Sequence, residues 1–176
     1  QAISPIDNLR QKYISNLANY TKRNVIVYYS SFLHKPHDVE LSITDRDMNA
    51  FMAVMQKLDA DKGLDLVLHT PGGSLTAVEA IVSYIRGKFG TDVRAIVPQI
   101  AMSAGTMLSC SCKEIVMGEH STLGPIDPLI GGISCQAVLD EFNLAVQRAK
   151  NDPASIPVWA AFVQKYPPGF LIECLN

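Results

Sequence analysis

Apolar positions along the chain alternate between helical and extended spacing. Between Pro5 and Tyr20, Ile6, Leu9, Tyr13 and Leu17 recur at helical intervals, which predicts a helix. Residues Asn24 to Tyr29 are β-branched and aromatic without polar alternation, a strand of the buried type. Thr44 can cap the next helix, with Asp47 at its N3 position. That helix sets Met48, Phe51, Met52, Met55 and Leu58 on one face, a methionine-rich stripe read as core. Leu64 to His69 is a second strand, ending in Thr70-Pro71-Gly72-Gly73-Ser74. The helix after it carries Val78, Ile81, Val82 and Ile85 and stops between Gly87 and Gly90.

Asp92 to Val97 is a third strand, and it runs into a small-residue helix from Ser103 to Ser111. A fourth strand covers Glu114 to Met117. Beyond the turn-rich stretch from Gly118 to Gly132, Val138, Leu139, Phe142 and Val146 mark a further helix. Pro153 and Pro157 punctuate the helical end. Strands alternating with helices at this rhythm predict an α/β fold with a largely parallel central sheet. Strands this apolar predict a sheet covered on both faces.

Composition adds limits. The chain has 176 residues, 48% of them hydrophobic, enough for one domain and short for two. The expected organisation is a single catalytic-core domain over residues 1–176, with a helical lead-in over about residues 1–22. The formal net charge of −2 and the scattered basic residues argue against a nucleic-acid partner. Cys110, Cys112, Cys135 and Cys174 show no CxxC pair and read as buried free thiols of a reducing compartment. No apolar run approaches the roughly 20 residues that span a bilayer. The chain begins with Gln1 and ends on the apolar stretch Phe170 to Leu175, so a core piece of a longer protein is expected, with a membrane anchor conceivable outside it.

Two loops at strand ends carry the candidate chemistry, because open α/β sheets bind ligands at the carboxyl ends of their strands. Gly72 and Gly73 let the backbone expose its N–H groups to a substrate and so stabilise an oxyanion. The plain alternative is a strand-to-helix turn capped by Ser74, which prevails if that loop is taken alone. A phosphate loop lacks support, with neither GxGxxG nor a Gly-Lys-Ser/Thr ending. In the second loop, Ala101-Met102-Ser103-Ala104-Gly105, a small-flanked serine opens a helix, where negative charge is favoured. A simple N-cap is the commoner fate of such a serine. The combination of a Gly-Gly loop and, about thirty residues on, a small-flanked serine shifts the balance towards a nucleophile.

Thr70-Pro71-Gly72-Gly73 and Ala101-Met102-Ser103-Ala104-Gly105 resemble the superfamily of the Clp protease proteolytic subunit and signal peptide peptidase. Gly118-Glu119-His120-Ser121-Thr122-Leu123-Gly124-Pro125-Ile126-Asp127-Pro128 more closely resembles the serine dehydrogenase proteinase family of membrane-associated serine peptidases. The similarity runs from about Val25 to the end. It implies a Clp-protease/crotonase-like ββα spiral and a serine endopeptidase with Ser103 as nucleophile. Gly72 or Gly73 together with Ala104 would form the oxyanion hole, and Asp127 would be the acid of a Ser–Asp–His set. It further implies a peptide or protein substrate, a homo-oligomer, and a place in the cytoplasm or at the cytoplasmic face of a membrane. No cofactor and no metal are implied.

No histidine follows Asp127, which departs from the family order. Candidate bases are His120, otherwise a loop residue, and Lys150, as in the Ser–Lys pair of signal-peptide-peptidase relatives, otherwise a charged surface lysine. His69 reads as a structural histidine. His34 and His37 could bind a metal but lack a third ligand, and a polar loop is the better reading. An α/β-hydrolase would place its serine in G-x-S-x-G, where this chain has Ala101. A crotonase-type acyl-CoA enzyme needs no such serine, and an inactive scaffold binding peptides or membrane partners is the other alternative. The same reading expects Gly73→Val to impair turnover far more than stability.

Overall fold

The computed structural model describes residues 4–34 and 41–175. It divides into two compact units, one running through Ile126 and the other starting at Asp127. His37 lies outside the described residues.

The first unit opens with helix α1 (Pro5–Thr21), whose N-cap Ser4 accepts the Ile6 N–H. Proline at the first helical position suits that start, since its missing N–H would have had no partner. The strands are β1 (Asn24–Tyr29), β2 (Leu64–His69), β3 (Val93–Val97), β4 (Ile100–Ala101), β5 (Glu114–Met117) and β6 (Thr122–Leu123). Between them lie helices α2 (Asp45–Met55), α3 (Leu75–Phe89) and α4 (Ala104–Cys110). The main sheet is parallel throughout, in the order β1-β2-β3-β5, and β4 pairs with β6 in a second, two-stranded parallel sheet. The expected α/β class and parallel central sheet are what the chain adopts, and β3-β4-α4 is one ββα turn of the spiral.

This strand order advances in one direction only. Right-handed crossovers in such a sheet all fall on the same face. On that face Leu64, Leu66, Leu68, Ala95 and Val97 are fully buried, packed with Phe51 and Met55 of α2, Val78, Ile81 and Ile85 of α3, and Leu108 of α4. The opposite face leaves Val27, Tyr29 and Val116 exposed. The expectation of a sheet covered on both faces is therefore corrected for the described residues: apolar strands did not reveal that every crossover takes one side.

Two helical stripes also differ from expectation. In α2 the Asp47 carboxylate accepts the Thr44 N–H at 2.7 Å, as the capping pattern predicted. Met52, however, is exposed and turns away from the face that buries Phe51 and Met55. In α1 the stripe of Ile6, Leu9 and Tyr13 is exposed, and no residue of the helix is buried.

The second unit contains strands β7 (Leu129–Ile130) and β8 (Ile133–Ser134), followed by helices α5 (Cys135–Asn151), α6 (Ile156–Val163) and α7 (Phe170–Leu175). β7 and β8 pair antiparallel around Gly131 and Gly132, with φ of 58° and 81°. A two-residue hairpin turn with both central φ positive selects glycine. Among the described residues no helix is long and apolar enough to cross a membrane.

Candidate active site

The two glycine- and serine-bearing loops meet at the carboxyl end of the parallel sheet. Thr70 pairs with Ala101: the Thr70 N–H donates to the Ile100 carbonyl, and the Met102 N–H donates to the Thr70 carbonyl, both at 3.1 Å. The continuation of β2 is thereby laid beside the Ser103 loop. A Cβ on Gly72 would sit 2.7 Å from the Met102 carbonyl oxygen, 2.8 Å from Ser103 Cβ and 3.2 Å from Ala104 N. Only glycine permits that approach, and its φ of 102° also favours glycine.

Gly73 is held from the other side. Ile43 donates its N–H to the Gly72 carbonyl at 2.7 Å and accepts the Ser74 N–H at 2.8 Å. In such a parallel bridge the N–H of Gly73 itself faces away from Ile43. Ser74 caps α3, its Oγ accepting the Ala77 N–H at 3.3 Å. The turn reading and the exposed N–H reading thus describe one loop doing both things.

Ser103 precedes α4 with φ 50° and ψ −115°, one of two non-glycine residues at positive φ among the described residues. This conformation costs a serine on the order of 1–3 kcal/mol. The side chain makes no capping hydrogen bond, so the N-cap alternative fails on geometry although Ser103 occupies the cap position. The residue is half-buried on a sharp turn between β4 and α4. Thr106 anchors the turn from behind, its hydroxyl lying 2.9 Å from the carbonyls of both Ala101 and Gly124.

Three backbone N–H groups of these two loops are candidate oxyanion donors. The Gly72 N–H is already bonded to Thr70 Oγ1 at 3.1 Å. The Ala104 N–H is the first of α4, where no intrahelical acceptor exists. Neither it nor the Gly73 N–H has a hydrogen-bond partner among the described residues.

The other predicted side chains are distributed as follows. Asp127 belongs to the second unit. There it accepts the Ser134 hydroxyl and, at 3.3 Å, the Gln136 N–H at the start of α5. Lys150 is exposed in the last turn of α5, where a cation complements the helix dipole. His120 is exposed in the turn between β5 and β6. His69 is buried at the end of β2, its ring 5.0 Å from Tyr29 and 5.1 Å from Phe32. Burial, and then the charge of nearby His34, hold its pKa below the usual histidine value. Its structural reading thus has a physical basis in aromatic packing.

No group of His, Cys, Asp and Glu among the described residues could hold a metal ion. The four thiols are unpaired as expected, but only Cys135 is buried and Cys110 is exposed. Burial pushes the Cys112 thiol up, and Cys174 up to about 11.

The sequence reading missed Ile43 and Thr106. Ile43 reaches Gly73 across twenty-nine intervening positions through backbone alone, which leaves no mark in side-chain pattern.

A family model described as ClpP-like SDH-type serine proteinase matches residues 9–156. An uncharacterized protein of Methanocaldococcus jannaschii is 33% identical over 129 residues, which cover 69% of this chain and 43% of that protein. A second uncharacterized protein of the same organism is 30% identical over 100 residues, or 57% of this chain and 34% of its own length. The ATP-dependent Clp protease proteolytic subunit 1 of Cutibacterium acnes is 32% identical over 96 residues, 51% of this chain and 43% of the subunit. The chain spans less than half the length of these curated relatives.

Proposed function

The chain belongs to the ClpP-like SDH-type serine proteinase family, and from that premise we propose that it hydrolyses peptide bonds of peptide or protein substrates through a Ser103 acyl-enzyme. In this reading a base takes the Ser103 proton as Oγ bonds to the scissile carbonyl carbon. The carbonyl oxygen becomes an oxyanion and accepts hydrogen bonds from the Gly73 and Ala104 N–H groups. The C–N bond then breaks, the amine leaves with a proton, and water releases the acyl group by the same path in reverse. Asp127 is the acidic member that orients the base, and His120 and Lys150 are the candidate bases within this chain.

One observation carries the reading: an uncapped serine on a strained turn, with a glycine backbone packed against its Cβ. A serine serving only as a cap has no need of positive φ, and a turn glycine has no need to approach a serine this closely. Fixed backbone donors beside the attacking oxygen are worth about 100- to 1000-fold in rate each. The test is fluorophosphonate labelling of the full-length protein, followed by peptide mapping. Label on Ser103, lost together with peptide hydrolysis in Ser103→Ala, is the expected result. A wild-type protein that neither takes the label nor cleaves peptides is the inactive scaffold instead.

A further inference from the structure

Thr70 lies behind the proposed oxyanion site and touches each part of it. Its side chain is fully buried. Oγ1 accepts the Gly72 N–H at 3.1 Å, across Pro71, which has no N–H of its own. A threonine oxygen receiving the amide two residues on is a side-chain-closed turn. It fixes the peptide that leads into Gly72 at φ 102° and Gly73 at φ 155°. The Thr70 backbone clamps the nucleophile loop on both sides, through Ile100 and Met102. On the remaining side Cγ2 packs where Gly105 lacks a Cβ: one built there would lie 2.4 Å from that methyl. Thr70 therefore joins the glycine loop, the nucleophile turn and the first turn of α4.

We propose that Thr70 is the positioning residue that selects the oxyanion donor, its hydroxyl occupying the Gly72 N–H so that the Gly73 N–H is the one presented beside Ala104. This rests on the serine-peptidase reading above. The selection follows from the geometry of successive amides. If the Gly72 N–H were free it would be a buried donor without a partner, which costs stability. The loop would relieve that cost by rotating the Thr70–Gly73 peptides, and Gly73 would leave its place. A displacement of about 1 Å in a catalytic group is enough for roughly a 100-fold loss.

Two variants separate the hydroxyl from the packing. Thr70→Val keeps the volume and the Cγ2 contact with α4 but has no acceptor. Thr70→Ser keeps the acceptor and loses the methyl. In the full-length protein we expect Thr70→Val to lower the fluorophosphonate labelling rate and kcat by about 10- to 100-fold with little change in KM. Thr70→Ser should restore the rate to within about threefold of wild type, a split that tracks the oxyanion donor. Amide exchange at Gly72 should be slow in wild type and Thr70→Ser and fast in Thr70→Val. Wild-type labelling in Thr70→Val overturns the proposal, and so does an equal loss in both variants, which would make Thr70 a packing residue. If Ser103→Ala labels like wild type, the nucleophile reading falls instead. Gly72 exchange then decides Thr70: the pattern given above supports its control of the loop, and equal exchange in all three proteins overturns it.

Discussion

At Ser103 the backbone stores strain that a helix cap does not require. Positive φ in a residue with a Cβ costs roughly 1–3 kcal/mol, and glycine removes that cost. Glycine also loosens the unfolded chain, an opposing effect of about 0.4–1 kcal/mol. The balance favours relief of strain, so Ser103→Gly should be about 1 kcal/mol more stable than Ser103→Ala, with both proteins inactive. Urea unfolding of the two variants checks this, and a glycine variant less stable than the alanine one removes the strained-turn argument. Such strain was not legible in Ala-Met-Ser-Ala-Gly, which announces a small-flanked serine and says nothing of its φ. Gly73 shows the same limit. A Cβ there would lie 2.2 Å from the Ile43 carbonyl oxygen and 2.3 Å from its nitrogen. Gly73→Val must therefore break the bridge to Ile43, and stability falls along with turnover, contrary to the expectation drawn from the motif. The candidate residues could be named from the chain, and the contacts that hold them in place could not.

Among the elements, strands long enough to show their character were legible to within one residue, β3 starting at Val93 where Asp92 was expected. β1, β2 and β5 have the bounds their composition predicted. β4, β6, β7 and β8 are two residues each, too short for any periodicity to register. Three of these adjoin candidate residues: β4 delivers Ser103, and the β7–β8 hairpin precedes the helix whose first turn Asp127 bonds. At that helix end, Ser134 Oγ accepts the Ala137 N–H at 3.0 Å and donates to the Asp127 carboxylate. Asp127 thus has a structural task in its own unit beside the catalytic one proposed for it. Losing an N-cap of this kind costs about 1 kcal/mol. Ser134→Ala and Asp127→Ala should therefore lower stability by similar amounts, about 1 kcal/mol each. If Asp127 orients the base, fluorophosphonate labelling will slow far more in Asp127→Ala than in Ser134→Ala when compared at equal fractions folded. Equal labelling rates in the two variants would leave Asp127 with the cap alone.

Across the whole sheet, parallel strands separate a charged network that holds the fold from the loops proposed to perform chemistry. The carboxyl ends of β2 and β4 carry the glycine loop and Ser103. Towards the amino ends, Asp65 is completely buried between two arginines. Its Oδ1 accepts Arg23 Nε at 2.8 Å and Arg94 Nε at 3.1 Å, and its Oδ2 accepts Arg94 Nη2 at 2.9 Å. Arg23 also reaches Asp92 Oδ1 at 2.9 Å and the Leu64 and Asp92 carbonyls, so one carboxylate links the lead-in to β1 with β2 and β3. Asp65 lies within an otherwise apolar strand, and nothing in the sequence paired it with arginines at positions 23 and 94. Removing one member of a buried ion pair costs about 3–5 kcal/mol, because the partner charge is left uncompensated. Here the arginine side chains keep 20% and 26% of their exposure, so water supports them and the low end of that range applies. Asp65→Asn should lower stability by about 3 kcal/mol, which for a chain of this size moves Tm down by about 6–12 °C. The Ser103 turn and the Thr70–Ser74 loop make none of these hydrogen bonds. At a temperature where circular dichroism shows the variant fully folded, its labelling rate should therefore match wild type. A slower rate in the folded Asp65→Asn protein would mean that the charged end of the sheet sets the geometry of the loops at the other.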